Sequence, residues 1–173
     1  NIFLFSQVDN GRALSEIQKS NWDLAQSFFS VLETGYKFAG ADPDSFDLFV
    51  DTPTGCIIFE YLSSGFKSCL NMLISIIREI EFGFHNKIRA QDYDGLILIE
   101  EVDMHLHPAW QRRIIGILSQ SFPNAQFILT THSPHVIQEA KEDQVIPLEW
   151  RDGQIAMRDI PPTGYGFQGW TVE

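Results

Sequence analysis

The sequence predicts an α/β layer fold with a parallel central sheet, preceded by an antiparallel hairpin. Three observations carry that prediction. Leu96-Ile97-Leu98-Ile99 and Gln126–Thr130 are short apolar-rich runs of the kind buried inside a parallel sheet. Helical stripes accompany them: Leu70, Leu73, Ile74, Ile77 and Ile80 recur on one face, as do Trp110, Ile114, Ile117 and Leu118. Upstream, two apolar segments meet at Asp51-Thr52-Pro53-Thr54-Gly55, a composition that makes turns.

Taken in order, residues 1–24 are polar and weakly patterned apart from an apolar burst at Ile2–Phe5. Leu24, Phe28, Val31, Leu32 and Phe38 then follow a helical face that Gly40 ends. Phe46, Leu48 and Val50 alternate as one strand, and Cys56–Tyr61 returns as its hairpin partner. A helix begins after Ser63 and runs to about Glu81. Gly95 precedes the Leu96–Ile99 strand, and Pro108 opens the next helix with Arg112 and Arg113 near its start. After Gln126–Thr130 comes a short helix near Pro134–Ala140. Val145–Trp150 and Gln154–Arg158 form a last hairpin around Asp152-Gly153.

The 173 residues suit one domain with a substantial core. Twelve Lys and Arg stand against 23 Asp and Glu, a net charge of −11, which argues against this surface holding a nucleic-acid backbone by itself. A nucleotide needs only a few placed groups and a metal, so the charge leaves nucleotide binding open. Two cysteines, Cys56 and Cys69, are too few for a disulfide framework and read as buried free thiols. The start at Asn1 has neither a signal peptide's basic region nor an initiator Met, so a longer parent protein is expected. Polar residues interrupt the longest uncharged stretch, Ile114–Gln138, so no membrane span is expected and the cytoplasm is the expected compartment.

Three features carry chemistry. The Leu96–Ile99 strand runs into Glu100-Glu101, with Asp103 close behind, and ligand sites of parallel sheets lie at the carboxyl ends of strands. One such acid can hold a hydrated Mg²⁺ while its neighbour polarises a water, although a solvated loop would look the same. Leu62-Ser63-Ser64-Gly65-Phe66 stands just ahead of a helix, where it caps the helix and also offers N–H groups to a phosphate. Thr130-Thr131-His132-Ser133 follows the second buried strand, which brings His132 to the same sheet edge as Glu100 and Glu101. A histidine metal centre drawn from His105, His107, His132 and His135 is the rival reading, but no helical His-x-x-x-His spacing supports it.

In this order and spacing, with about 35 residues between the first two features and about 30 to the third, the chain resembles the SMC/RecF/OLD-like branch of ABC-type (AAA) ATPases. Leu62–Phe66 resembles the signature motif, Leu96–Glu101 Walker B with its catalytic glutamate, Asp103 the D-loop, and Thr131-His132-Ser133 the switch-histidine loop. Asp103-Met104-His105-Leu106-His107-Pro108 is typical of this branch, and the resemblance covers about Phe46 to Ala140. The tail, Thr163–Trp170, is similar to Septu-type and retron-associated anti-phage ATPases. The resemblance implies two heads that dimerise around ATP. Ser63, Ser64 and Gly65 would reach the γ-phosphate held by the other head. Glu100 would hold Mg²⁺ through water, Glu101 would orient the attacking water, His132 would contact the γ-phosphate, and Asp103 would lie at the dimer seam. It further implies a head-to-head partner, a possible nuclease partner protein, and any DNA contact through other regions.

Two departures qualify the match. Glu100 stands where the family has Asp, and no Gly-x-x-x-x-Gly-Lys-Ser/Thr loop occurs anywhere in the chain. Residues 1–173 are therefore expected to be a partial ATPase domain whose Walker A lobe lies upstream. Three functional readings follow: an ATPase head, a degenerate nucleotide-sensing dimerisation module, and a metal-dependent nuclease or other hydrolase. His105 and His107 are expected to shape the loop and cap the helix at Pro108.

Overall fold

The structure is a computed structural model that describes residues 8–9, 12–42 and 44–158; Ile2–Phe5 and the Thr163–Trp170 tail lie outside the described residues. Strands β1 (Val8–Asp9) and β2 (Arg12–Ala13) form a short antiparallel pair ahead of helix α1 (Glu16–Leu32). α1 starts earlier than its apolar face suggests because Ser15 and Gln18 form a reciprocal capping box. Ser15 Oγ accepts from Gln18 N at 3.2 Å, and Gln18 Oε1 accepts from Ser15 N at 3.0 Å.

The helix also stops earlier than expected, at Leu32, and Phe38 lies instead on β3 (Lys37–Ala41). Phe38 shares the helical spacing because its ring returns to the same cluster, edge-on to Trp22 and tilted against Phe29. Strands β4 (Leu48–Thr52) and β5 (Gly55–Ile58) complete a three-stranded antiparallel sheet in the order β3-β4-β5. The hairpin turn falls at Pro53-Thr54, as its composition predicts, but Phe59–Tyr61 is a single 3₁₀ turn and β5 is correspondingly short. Phe46 precedes β4 with φ 61°, outside the strand alternation.

Helix α2 (Ser64–Gly83) turns Phe66, Cys69, Leu70, Leu73, Ile74, Ile77 and Ile80 inward. They meet Phe28, Phe29 and Leu32 of α1, and Val50 of β4, in one core. Asn21, also buried, ties α1 to the chain beyond α2: its Oδ1 accepts from Ala90 N at 2.7 Å and its Nδ2 donates to Glu81 Oε1 at 3.0 Å.

Strand β6 (Leu96–Ile99) pairs in parallel with β7 (Gln126–Leu129), Leu96 opposite Gln126 and Ile99 opposite Leu129. Between them run α3 (Pro108–Gln111) and α4 (Ile114–Ser121), where the sequence predicts one unbroken helix. The break coincides with Arg113, whose guanidinium reaches back to donate to Leu32 O at 3.2 Å and Val31 O at 2.9 Å, covering carbonyls that the end of α1 leaves open. Helix α5 (Pro134–Glu139) follows β7, and β8 (Leu148–Arg151) pairs antiparallel with β9 (Gln154–Met157). Asp152 and Gly153 both have positive φ in that turn, at 53° and 79°, as a two-residue hairpin loop requires.

The Leu96–Ile99 run is expected to be buried on both faces, but only one face is covered. Ile97, Ile99, Phe127 and Leu129 pack on the core, whereas Leu96, Leu98 and Ile128 are 48%, 67% and 52% exposed. A second correction concerns the thiols. Cys69 is buried within the core, but Cys56 on β5 is exposed. Burial pushes the Cys69 thiol up to about 12, against a lesser opposite pull from Arg113.

Candidate functional site at the carboxyl edge of the parallel strands

Hydrogen bonding between the parallel strands continues past their ends. Thr130 N donates to Ile99 O at 3.0 Å, and Val102 N donates to Thr130 O at 3.0 Å. The segment Glu100–Val102 is thereby laid beside Thr130. Glu101 N donates to Thr130 Oγ1 at 2.8 Å, and Glu101 itself has φ 47°, a left-handed conformation rare for a residue with a side chain. The turn it makes is closed by Met104 N donating to Glu101 O at 2.8 Å. Val102 is buried and anchors the loop, while Glu100 and Glu101 are exposed.

Asp103 faces the other loop. Its Oδ1 accepts from Thr131 Oγ1 and, at 3.3 Å, from His132 N. The acidic loop after β6 and the histidine loop after β7 are thus joined by the Asp103 carboxylate and the Thr130 hydroxyl. Glu100 and Glu101 follow β6 and His132 follows β7 at the carboxyl edge of the parallel pair, with the His132 side chain exposed there. Thr130 and Thr131, which hold that arrangement, are the residues that sequence reasoning passed over. They stood within the Thr-Thr-His-Ser run, but nothing local marked their hydroxyls as structural.

The Ser63-Ser64-Gly65 segment starts α2. Ser63 is the N-cap, its Oγ accepting from Phe66 N at 3.3 Å and its carbonyl from Lys67 N at 3.1 Å. Helical geometry leaves the Ser64 and Gly65 amides without an intrahelical acceptor, at the positive end of a 20-residue helix. Gly65 is buried because it lies against the chain after the acidic loop. A Cβ there would meet His105 O and Trp110 Cζ3, each at 3.2 Å, and His107 N at 3.5 Å. Phe66 fixes the same junction, stacked near Phe29, Tyr36 and Trp110.

His107 caps α3 as expected, Nδ1 accepting from Ala109 N at 3.3 Å, and His105 holds a left-handed turn at φ 62°. Among the described residues no group of three or more His, Cys, Asp or Glu side chains is arranged to hold a metal ion. The exposed carboxylates of Glu100 and Glu101 after β6 are oxygen donors of the kind that a hydrated Mg²⁺ prefers. Among the described residues no helix is long and apolar enough to cross a membrane.

Parallel strands with an acidic loop and a histidine loop at their carboxyl edge give an α/β arrangement consistent with a lobe of the P-loop NTPase type. Residues 9–138 match the family described as "AAA domain, putative AbiEii toxin, Type IV TA system", and the chain belongs to that AAA family. Its curated relatives include a Septu protein PtuA of Bacillus thuringiensis, 48% identical over 99% of this chain and 43% of that protein. The Retron Ec83 probable ATPase of Escherichia coli is 42% identical over 52% of this chain and 17% of its own length. The chain thus spans less than half of the PtuA relative and a smaller part of the retron relative. Among solved structures, one described as "Structural biochemistry of ATP-driven dimerization and DNA stimulated activation of SMC ATPases" shares the fold. Its TM-score is 0.59 and its identity 18%, covering 83% of this chain and 84% of that one. The Smc head domain of Pyrococcus yayanosii has a TM-score of 0.53 at 20% identity, covering 83% of this chain and 27% of its own.

Proposed function

We propose that this chain is the carboxyl-terminal lobe of an ATP-hydrolysing head that dimerises around nucleotide, working in the cytoplasm within an anti-phage or DNA-handling complex. The observation that carries the reading is the tie between the two loops: Asp103 accepts from Thr131 Oγ1 and His132 N, so Glu101 and His132 share one sheet edge. The bare face of β6 and β7 supports an upstream lobe, since parallel strands normally have both faces covered. That lobe would contribute the Walker A loop.

Bound Mg²⁺ supplies charge neutralisation to the phosphates. Glu100 would hold the ion through water, a contact that would tolerate Glu in place of the family's Asp. Glu101 orients the attacking water and takes up its proton. His132 points a donor at the γ-phosphate as charge spreads over its oxygens. Ser63, Ser64 and the Gly65 amide serve the nucleotide held by the opposing head, and Asp103 lies near the seam between heads. The family resemblance implies a nuclease as partner protein, and the −11 charge assigns any DNA contact to other regions. In the complete protein, Glu101→Gln is expected to slow ATP turnover at least 100-fold while accumulating an ATP-bound dimer in size-exclusion chromatography. Unchanged turnover removes Glu101 from this role. A protein that binds ATP and dimerises but never hydrolyses it establishes the nucleotide-sensing alternative, which Glu100 favours.

A further inference from the structure

Gln111 is partly buried at the end of α3 and touches two separate stretches of chain. Its Nε2 donates to Leu106 O at 2.9 Å and to Asp103 O at 3.3 Å, and its Oε1 accepts from Ser133 Oγ at 2.7 Å. Ser133 is buried, and its Oγ in turn accepts from His135 N at 3.1 Å, while Ser133 N donates to Thr131 Oγ1 at 3.0 Å. One amide thus uses its donor end on the acidic loop and its acceptor end on the residue that follows His132. A primary amide both donates and accepts at its tip without carrying charge.

We propose that Gln111 is a positioning residue, which with Ser133 latches the Glu101–Leu106 loop to the His132 loop and thereby fixes the water-orienting and phosphate-contacting groups relative to each other. The inference rests on the hydrolytic reading above. The Asp103 carboxylate joins the same loops at the exposed edge, and the Gln111 amide joins them from beneath, against Leu106 and Ser133 in the interior. Two such ties fix a hinge in two places, which a single contact would leave free to rotate. Misplacement of a catalytic group by about 1 Å costs on the order of 100-fold in rate.

The test uses the complete protein and two independent readouts. In Gln111→Ala, amide exchange is expected to quicken about tenfold in both 100–106 and 130–135, the equivalent of one lost hydrogen bond, with the α1–α2 core unchanged. ATP turnover is expected to fall 10- to 100-fold in kcat with KM for ATP within twofold. Gln111→Glu keeps the acceptor and loses the donor, so it is expected to behave like Gln111→Ala, whereas Ser133→Thr keeps the hydroxyl and retains most activity. In a Glu101→Gln background, Gln111→Ala should subtract nothing further, because the step it positions is already lost. Unchanged exchange in either loop overturns the latch, as does a kcat unchanged in an active enzyme. If the unaltered protein hydrolyses no ATP, the hydrolytic reading fails on that result, and the exchange measurement still decides whether Gln111 joins the loops.

Discussion

The antiparallel half and the parallel half of this molecule are built to different degrees of closure. Around α1, α2 and β3–β5, Phe28, Phe29, Leu32, Leu73, Ile77 and Val50 are wholly buried, and the aromatic rings of Phe29, Tyr36, Phe38, Phe66 and Trp110 interlock. The β6–β7 pair is covered on one side alone, and β8–β9 likewise leaves Leu148, Trp150, Ile155 and Met157 exposed. In each antiparallel register pair of that hairpin, Leu148 with Met157 and Trp150 with Ile155, the two side chains share a face. The difference teaches that the two halves share one core, which Ile114, Leu118 and Phe122 help to close from the parallel half, whereas the outer faces of the site-bearing strands carry apolar side chains that this core does not cover. Two parallel strands are below the size at which sheets stand by themselves.

Four measurements on the complete protein would break or sharpen that contrast. Phe28→Ala removes a wholly buried ring from the closed half and is expected to cost about 4 kcal/mol in denaturant unfolding. Leu98→Asp probes the bare face: with an upstream lobe seated there the carboxylate is buried unpaired, at a cost of about 3 kcal/mol. A cost under about 0.5 kcal/mol, as for an ordinary surface position, would mean the face stays open and the contrast is a property of the whole protein.

Asn21→Ala leaves the buried Ala90 amide without its acceptor and is expected to cost about 2 kcal/mol, smaller than a core cavity because only polar contacts are lost. The smallest effect is chemical. Native protein should expose Cys56 but not Cys69 to a thiol reagent at pH 8, both reacting after denaturation. Cys69's folded pKa is raised from 9.0 to about 12, so the folded state holds its proton longer than the unfolded one. Its contribution is therefore complete below pH 9 and declines as pH rises from 9 towards about 12. A midpoint of unfolding flat across that window would show that Cys69 is not held in the closed core.

Much of this architecture was legible locally. Strands β6 and β7, helix α2, and the turns at Pro53-Thr54 and Asp152-Gly153 follow from runs, stripes and turn residues within a few positions of each other. The start of α1 was equally local, since Ser15-x-x-Gln18 is a capping signal, but it sits ahead of the apolar stripe and was overlooked. Phe38 misled for the opposite reason: packing against Phe29 and Trp22 gave a strand residue a helical spacing. At the site, Glu100, Glu101, Asp103 and His132 were readable as polar groups following apolar strands. The hydroxyl of Thr131 on Asp103 and the amide of Gln111 on Ser133 were not, because partners 28 and 22 residues apart leave no periodic trace.

By itself, then, the sequence determined the kinds of element and the edge of the sheet where polar groups would collect. Apolar period and turn chemistry are properties of neighbouring residues. Tertiary structure alone decided that Glu101 would bend with a positive φ, that Gly65 would lie against the His105–His107 chain, and that the face of Leu96, Leu98 and Ile128 would remain bare. Each depends on which distant segment occupies the adjoining space, and an apolar strand has the same pattern whether its second face is covered or awaits a partner.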